Sequence, residues 1–250
     1  MTLRKRADIL LVERGYFVSR AKAREAIEAG LVAAGGVVVR KPSDILSEDA
    51  DIVAERPYPY VSRGGVKLAA ALETFRIDPA GLVCLDIGAS TGGFTDVLLR
   101  GGASHVYAVD VGHGQLDAGI ALDERITPME KTDARALAPA HFTQSPQLAV
   151  FDVSFISLRL VLPSVLRLLA QDAACVALIK PQFEAGRENI AKGIVRDPAL
   201  HEQICTQMRA FVEELGWRVL DIVVSPIEGG DGNREFLISA TRGTPEFVRN

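Results

Sequence analysis

The segment that most constrains the fold lies between residues 83 and 100. An apolar run at 83–87 predicts a buried strand, the glycine-rich stretch 88–93 predicts a tight turn, and the pattern at 94–100 predicts a helix. A strand, a turn and a helix in this order are typical of a parallel α/β sheet, which binds ligands at the carboxyl ends of its strands. Glycine in such a turn permits positive φ and a close approach of the ligand to the backbone. We therefore expect a ligand site at this turn.

The spacing of the glycines indicates which ligand the turn binds. The pattern from Asp86 is D-x-G-x-x-x-G-G, which differs from the dinucleotide fingerprint G-x-G-x-x-G, and Phe94 stands where a phosphate-binding loop has Lys. We therefore expect S-adenosylmethionine rather than a pyrophosphate, with an ordinary strand, turn and helix as the alternative. The turn residues predicted to bind this cofactor are Asp86, Gly88, Ala89, Ser90, Thr91, Gly92, Gly93 and Phe94.

Acidic residues end the strands that follow this turn. Asp110 ends the second predicted strand, where an acid suits the hydroxyls of a cofactor ribose. Asp133 follows the third strand and could accept a hydrogen bond from an adenine amino group, and Asp152 ends the fourth. A single acid at a strand end commonly caps the next turn, but three successive ones favour a nucleoside site. The predicted cofactor-binding residues at these ends are Asp110, Val111, Asp133, Ala134 and Asp152.

Strand and helix patterns alternate through the rest of the chain. The predicted strands are 83–87, 105–110, 126–130, 148–153, 175–180, 217–224 and 235–240, and the predicted helices are 62–76, 93–100, 158–170 and 198–215. Such alternation predicts a mostly parallel sheet that is covered on both faces. No crossover helix fits between the last two strands, so the last strand is expected to be antiparallel. The fold class is therefore predicted to be α/β, with the Rossmann-like seven-stranded sheet of S-adenosylmethionine-dependent methyltransferases.

The charge of the chain is distributed unevenly. The net charge is −4, yet residues 1–41 hold nine Lys or Arg against four Asp or Glu, a net +5, so the remainder has −9. A basic module joined to an acidic body indicates nucleic-acid binding by the module, although a basic helix is often only a solvated face. The residues predicted to contact RNA are Arg4, Arg6, Arg20, Lys22, Arg24, Lys41 and Arg63.

This basic region resembles the S4 RNA-binding domain. Helical patterns at 5–14 and 20–29 precede short strands at 37–39 and 51–54. The resemblance rests on R-A-D-I-L-L-V-E-R-G, S-R-A-K-A-R-E-A-I-E-A-G and V-V-V-R-K-P-S-D, and it implies an α+β module that docks a basic helix on structured RNA. Two prolines in Arg-Pro-Tyr-Pro-Tyr then predict an extended connector. The predicted domains are 1–55 for the S4-like domain, 56–61 for the linker and 62–250 for the methyltransferase domain.

The residues around the predicted crevice limit which kinds of atom could accept the methyl group. Amino-methylating enzymes show Asn/Asp-Pro-Pro-Tyr/Phe after the fourth strand, and this chain has Asp-Val-Ser-Phe at 152–155. Methylation of pyrimidine carbon 5 needs a cysteine at a strand end, and neither Cys84 nor Cys175 lies at one. The remaining candidates are the charged residues Lys67, Asp152, Lys180 and Glu235. Such residues can activate a hydroxyl, while a structural ion pair between Lys180 and Glu235 is the alternative.

The four charged residues match the Lys-Asp-Lys-Glu tetrad of ribose 2′-O-methyltransferases, and the whole chain resembles the TlyA family. The resemblance rests on R-G-G-V-K-L, L-D-I-G-A-S-T-G-G-F-T-D, D-V-S-F-I-S-L, L-I-K-P-Q-F-E and N-R-E-F. It implies an S4 domain, a linker and an FtsJ-like domain that methylates the ribose 2′-hydroxyl of cytidine in 16S and/or 23S ribosomal RNA. Lys180 would deprotonate or polarise that hydroxyl, Asp152 would orient Lys180, and Lys67 and Glu235 would balance the charge and hold the nucleotide.

Two other functions stay open at this point. One is a non-catalytic RNA-binding or ribosome-assembly factor, and the other is a cytolysin, as the family's older description as haemolysin A suggests. No apolar run reaches the roughly 18 residues of a membrane span, and the N-terminus lacks the apolar core of a signal peptide. We therefore expect a cytoplasmic protein that binds ribosomal RNA or ribosomal subunits and holds no metal. The segment 184–197 is predicted to be a lid or an RNA-contact loop, with a plain solvated loop as the alternative.

Overall fold

The computed structural model describes residues 3–186, 193–229 and 232–249. The chain divides into two compact units, Met1–Pro59 and Tyr60–Asn250. The division falls inside the segment 56–61, where the prolines predict a connector.

The N-terminal unit packs two helices against short antiparallel strands. Its elements are β1 (Arg4–Arg6), α1 (Ala7–Glu13), α2 (Arg20–Glu28), β2 (Val32–Ala34), β3 (Val37–Val38), β4 (Ile45–Ser47) and β5 (Ile52–Ala54). β1 pairs with β4, and β3, β2 and β5 form a three-stranded sheet. α2 begins where the Ser19 side chain accepts a hydrogen bond from the Lys22 backbone N–H, which satisfies one of the free donors of its first turn. The core beneath the helices includes Leu10, Leu11 and Ile27.

The C-terminal unit alternates strands and helices. Its elements are α3 (Gly64–Thr74), β6 (Val83–Ile87), α4 (Gly93–Arg100), β7 (His105–Val109), α5 (Ala118–Ala121), β8 (Ile126–Met129), β9 (Leu148–Phe151), α6 (Leu158–Leu166), β10 (Ala173–Ile179), α7 (Pro181–Glu184), α8 (Pro198–Glu214), β11 (Arg218–Val224) and β12 (Phe236–Arg242). All seven predicted strands and four predicted helices are present, within a few residues of their predicted ends. The sequence patterns missed α5 and α7, because a single helical turn is too short to show a period.

The seven strands form one sheet in the order β11-β12-β10-β9-β6-β7-β8. β6 lies parallel between β7 and β9, β10 is parallel to β9, and β12 is antiparallel to both β10 and β11. The α/β class and the antiparallel last strand are therefore confirmed. Pro128 lies in β8 at the edge of the sheet, where the missing N–H leaves no central ladder bond unmade.

Both faces of this sheet are buried, which is why its strands are apolar at successive positions. Val83, Leu85 and Ile87 belong to one hydrophobic cluster, and Cys84 belongs to the cluster on the other face. The alternation follows from the two-residue period of a strand. With both faces covered by helices, the carboxyl ends of the strands are the open edge at which polar residues can gather.

Candidate active site

A cavity of about 510 Å³ lies at the carboxyl ends of β6, β7, β8 and β9. Its size is within the usual range for small-molecule sites. The predicted cofactor-binding residues that line it are Gly88, Ser90, Asp110, Val111, Asp133, Ala134 and Asp152. The structure therefore brings residues from all four strand ends to one crevice, as the parallel sheet requires.

The other residues predicted from the glycine-rich turn do not line this cavity; they are Asp86, Ala89, Thr91, Gly92, Gly93 and Phe94. Asp86 is fully buried, and its Oδ2 accepts a hydrogen bond of 2.7 Å from the Thr95 hydroxyl. Its Oδ1 has no partner among the described residues. Burial, above all, raises the pKa of Asp86 to about 7. Asp86 holds the start of α4 from beneath the turn and is not part of the cavity lining, so its contact with the cofactor stays a prediction.

The turn glycines permit close packing of backbone on backbone. Gly88 has a φ of +87°, and a Cβ at this position would lie 2.6 Å from the carbonyl oxygen of Asp152. Any side chain here would push the end of β6 away from the end of β9. A Cβ on Gly93 would likewise collide with the Ser62 hydroxyl, which precedes α3. These glycines set the distances between the elements that form the site.

Asp110 joins the two turns that form one side of the cavity. Its Oδ2 accepts a hydrogen bond of 2.8 Å from the Ser90 backbone N–H, and its Oδ1 accepts one of 2.7 Å from Gly112. A carboxylate offers about four acceptor positions, so about two are left for a pair of hydroxyls. This is the chemistry that a ribose requires at the end of a second strand.

Asp133, the predicted adenine contact, is bound within the protein. Arg135 Nη2 lies 2.6 Å from its Oδ2, and Arg135 Nε lies 3.0 Å from its Oδ1. Both side chains are exposed at the cavity rim, and the guanidinium lowers the pKa of Asp133. A contact between Asp133 and an adenine amino group stays a prediction, and Arg135 competes for the same oxygens.

Four charged side chains form two ion pairs beside this cavity. Lys180, the residue after β10, places its Nζ 2.7 Å from Asp152 Oδ1, and Asp152 follows the neighbouring strand β9. Lys67 on α3 places its Nζ 2.5 Å from Oε2 of Glu235, which directly precedes β12. Because β12 is antiparallel to β10, its first residue lies at the carboxyl end of β10. The two lysines and Glu235 are buried, which is uncommon for charged groups unless they are paired.

Two residues of the loop after β9 were not identified from the sequence as site residues. Ser154 accepts a hydrogen bond of 2.8 Å from Lys180 Nζ. Phe155 has a φ of +64° and is 91% exposed, and its ring centre lies 5.5 Å from that of Phe183. An exposed aromatic side chain in a strained backbone conformation indicates a functional position. The motif D-V-S-F-I-S-L marks the loop in the sequence, but it does not show that this Phe faces solvent.

Glu184 fixes the far end of the same loop. Its Oε2 accepts a hydrogen bond of 2.6 Å from the Ser157 hydroxyl, and its Oε1 accepts one of 2.7 Å from the Leu158 backbone N–H at the start of α6. Burial raises the pKa of Glu184. Of the predicted lid 184–197, residues 187–192 lie outside the described residues. In the described part, Val195 donates its N–H to Asn233 Oδ1 at 3.1 Å, which ties the segment to the strand that begins after Glu235.

The predicted RNA-contact residues differ in their surroundings. Arg6 and Arg20 both bind the buried carboxylate of Asp8. Lys22 lies 2.7 Å from the Tyr58 hydroxyl and 3.3 Å from Glu25 Oε2, so part of its charge is already satisfied. The remaining residues of this set are exposed: Arg4, Arg24, Lys41 and, in the C-terminal unit, Arg63.

Two further properties concern the described residues alone. None of their helices is both long enough and apolar enough to span a membrane. They also contain no group of three or more His, Cys, Asp or Glu that could hold a metal ion.

Comparison with known proteins gives these features a family context. The family model for FtsJ-like methyltransferases matches residues 60–242, and that for the S4 domain matches residues 5–52. The chain is similar to the 16S/23S rRNA (cytidine-2′-O)-methyltransferase TlyA of Mycobacterium tuberculosis, at 43% identity over 95% of this chain and 90% of that protein. It is 48% identical to the candidate rRNA methyltransferase YqxC of Bacillus subtilis, over 95% of this chain and 86% of that protein. A solved structure from Streptococcus thermophilus, described as a candidate hemolysin, matches with a TM-score of 0.77 and 42% identity, over 98% of this chain and 91% of that one.

Proposed function

Because the chain belongs to the TlyA family of FtsJ-like methyltransferases, we propose that it transfers a methyl group from S-adenosylmethionine to a ribose 2′-hydroxyl of ribosomal RNA. Cytidine in 16S and/or 23S RNA is the proposed target, since the similar TlyA protein is named for that reaction. Ribosomal subunits are the proposed form of the substrate, and the cytoplasm is the proposed place of the reaction. The observation that supports this function most strongly is the contact of Lys180 with Asp152 and Ser154 beside the cavity.

The cavity residues fit S-adenosylmethionine. Asp110 keeps acceptor positions for the ribose hydroxyls, and Ala134 and Val111 give the cavity an apolar wall next to the polar groups. The bound cofactor would supply an electrophilic methyl group on a sulfonium, so the main task of the protein is to place the acceptor oxygen at about 3 Å and in line. Gly88 keeps β6 and β9 close enough for both reactants to share one crevice.

Lys180 is the group that we assign to the acceptor hydroxyl. Asp152 and Ser154 hold its Nζ from two sides, so the position of the nitrogen is fixed before the RNA arrives. Nζ then binds the 2′-hydroxyl and polarises it or, as the neutral amine, takes its proton. As the oxygen bonds to the methyl carbon, the carbon–sulfur bond would break and the sulfonium would leave as a neutral thioether. The pairing with Asp152 also keeps the side chain from turning away from the cavity.

Lys67 and Glu235 form the second, more deeply buried pair. A lysine and a glutamate in a buried pair keep the local charge neutral, and neither tolerates the loss of the other. We assign this pair to fixing the end of β12 against α3 and to holding the nucleotide near Lys180.

The position of the target base follows from Phe155. Phe155 directly follows Ser154, the residue that binds Lys180, and its ring is exposed. Aromatic rings bind unstacked bases by stacking, which contributes about 1–3 kcal/mol per base. We therefore assign Phe155 to the target base and the basic N-terminal unit to the RNA around it.

The function can be tested by mapping methylation on purified ribosomal subunits. Small and large subunits from cells that lack the protein would be incubated with the full chain and labelled S-adenosylmethionine, and the labelled nucleotide would then be identified. We expect label at a ribose 2′-hydroxyl. Transfer to a base, or no transfer to either subunit by protein that binds the cofactor, would contradict the proposal.

A further inference from the structure

One buried carboxylate of the N-terminal unit holds two arginines that face solvent. Asp8, in the first turn of α1, is fully buried, whereas the side chains of Arg6 and Arg20 are 40% and 58% exposed. Arg6 Nε lies 3.0 Å from Oδ1 and Arg6 Nη2 lies 3.2 Å from Oδ2. Arg20 Nη2 and Nε lie 2.7 and 3.2 Å from Oδ2. A single acid therefore fixes the orientation of two guanidinium groups.

The hydrogen bonds to Asp8 leave part of each guanidinium for a ligand. They use Nε and Nη2 of both arginines, and Nη1 of Arg6 and of Arg20 has no protein partner in the described part of the chain. Two positive charges and one negative charge leave a net +1. This balance suits a phosphodiester group, and guanidinium is well shaped for phosphate oxygens.

Asp8 carries its negative charge when it binds the two arginines. The arginines lower the pKa of Asp8 to about 2, so it stays ionised at any physiological pH. Free arginine side chains lose much of their rotamer entropy when they bind a ligand. If the carboxylate orients the arginines in advance, this loss occurs on folding and no longer weakens RNA binding.

We propose that Asp8 is a positioning residue that orients Arg6 and Arg20 into one binding site for an RNA phosphate. This inference rests on the proposed function, since it needs an RNA substrate. It gives an acidic residue a favourable role in RNA binding, although a model based on net charge alone would treat that residue as repulsive. A purely structural bridge between α1 and α2 is the competing explanation.

The substitution Asp8→Asn distinguishes a positioning role from a purely structural one by whether RNA affinity falls or rises. It removes one negative charge, so point-charge electrostatics predicts tighter RNA binding. If Asp8 positions the arginines, its loss weakens binding, by about tenfold. Affinity would be measured with the full-length protein on purified ribosomal subunits, together with the cofactor affinity, which we expect to be unchanged.

Glu13→Gln is the matched control. Glu13 is also on α1 and also pairs with a basic residue, Lys5, but it is exposed. The substitution makes the same charge change without releasing a buried group, so binding should be unchanged or slightly tighter. Asp8→Asn in an Arg6→Ala/Arg20→Ala background should have no further effect on RNA affinity. Binding by Asp8→Asn that equals or exceeds wild type would overturn the inference.

Arg20→Lys keeps the test decisive if Asp8→Asn does not fold. It retains the charge at an exposed position but removes the planar group that binds Asp8 through two nitrogens. We expect a several-fold loss of RNA affinity with the affinity for S-adenosylmethionine unchanged, and an unchanged RNA affinity would overturn the inference. If wild-type protein neither binds nor methylates either subunit, the proposed function fails instead, so the two failures are distinguishable.

Discussion

Both units of the protein place opposite charges together, but a different partner is buried in each. In the C-terminal unit the lysines are withdrawn from solvent, with Lys67 5% and Lys180 8% exposed. In the N-terminal unit the acid, Asp8, is withdrawn, and its arginines stand at the surface. The group that we assign to the ligand is thus buried in one unit and exposed in the other.

The difference reflects what each site must bind. A single proton on a single hydroxyl needs one nitrogen, held in a place from which water is largely excluded, and lysine supplies such a compact donor and acceptor. A phosphate on the surface of a large RNA needs several N–H groups in a fixed plane, which arginine supplies. On the proposed assignments, an acid in each site, Asp152 or Asp8, orients the group that contacts the substrate.

The two fully buried aspartates, one in each unit, show how strongly the partner decides the charge. Two arginines lower the pKa of Asp8 to about 2. Burial raises the pKa of Asp86 to about 7, and in the described part of the chain this carboxylate is hydrogen-bonded by Thr95 and not by a cation. Two carboxylates that both lack solvent exposure therefore shift in opposite directions, according to the cations beside them and to how deeply each is buried.

The largest expected effect separates chemistry from binding. Lys180→Ala should lower kcat for methyl transfer by about 10³-fold, because it removes the group assigned to the hydroxyl. The affinity for S-adenosylmethionine should change by less than about twofold, since Lys180 does not line the cofactor cavity. Arg20→Ala should instead raise KM for RNA and leave kcat within about twofold. Steady-state kinetics of both variants would contradict the comparison if each changed the same parameter.

A smaller effect concerns stability. Glu235→Ala leaves the ammonium of Lys67 buried and unpaired, so we expect a loss of about 3 kcal/mol in the free energy of unfolding. Glu13→Ala breaks the exposed pair with Lys5 and should change the free energy of unfolding far less, because solvent screens that pair. Chemical denaturation of both variants measures the difference. Equal losses would show that the burial of the pair near the cavity has no energetic importance.

The smallest effect is the pH dependence of stability. Because the folded protein binds the Asp86 proton more tightly than the unfolded chain does, ionisation of Asp86 lowers stability as the pH rises from about 4 to about 7. Asp86→Asn removes this term, so its unfolding free energy relative to wild type should rise between pH 5 and pH 8, by about 1 kcal/mol or more.

Asp8 should show the opposite trend. Its folded pKa is lowered, so the stability that it contributes is present above about pH 4 and is lost as the pH falls toward about 2. The deficit of Asp8→Asn should therefore shrink as the medium is acidified from about pH 5 to about pH 3. Urea denaturation from about pH 3 to about pH 8 tests both aspartates, and parallel slopes for the two variants would refute the assigned causes.

The local patterns of the sequence predicted most of the C-terminal unit. The strand, turn and helix at 83–100, the alternation that follows and the antiparallel last strand each depend on neighbours within one or two elements, which is the range that periodicity reports. Three short strands of the N-terminal unit were not predicted. β1, β2 and β4 lack the two adjacent β-branched residues that mark the equally short β3 and β5.

The sequence by itself determined the fold class and the set of charged residues from which a site could be built. Only the tertiary structure decided their partners: Lys67 meets Glu235 across 168 positions, Arg6 and Arg20 share Asp8, and Asp86 lies beneath the turn instead of facing the cavity. It also decided that Phe155 stands exposed next to the lysine site. Residue type and local period set where an element forms, whereas a side chain's partner depends on how distant elements pack, which no local pattern records.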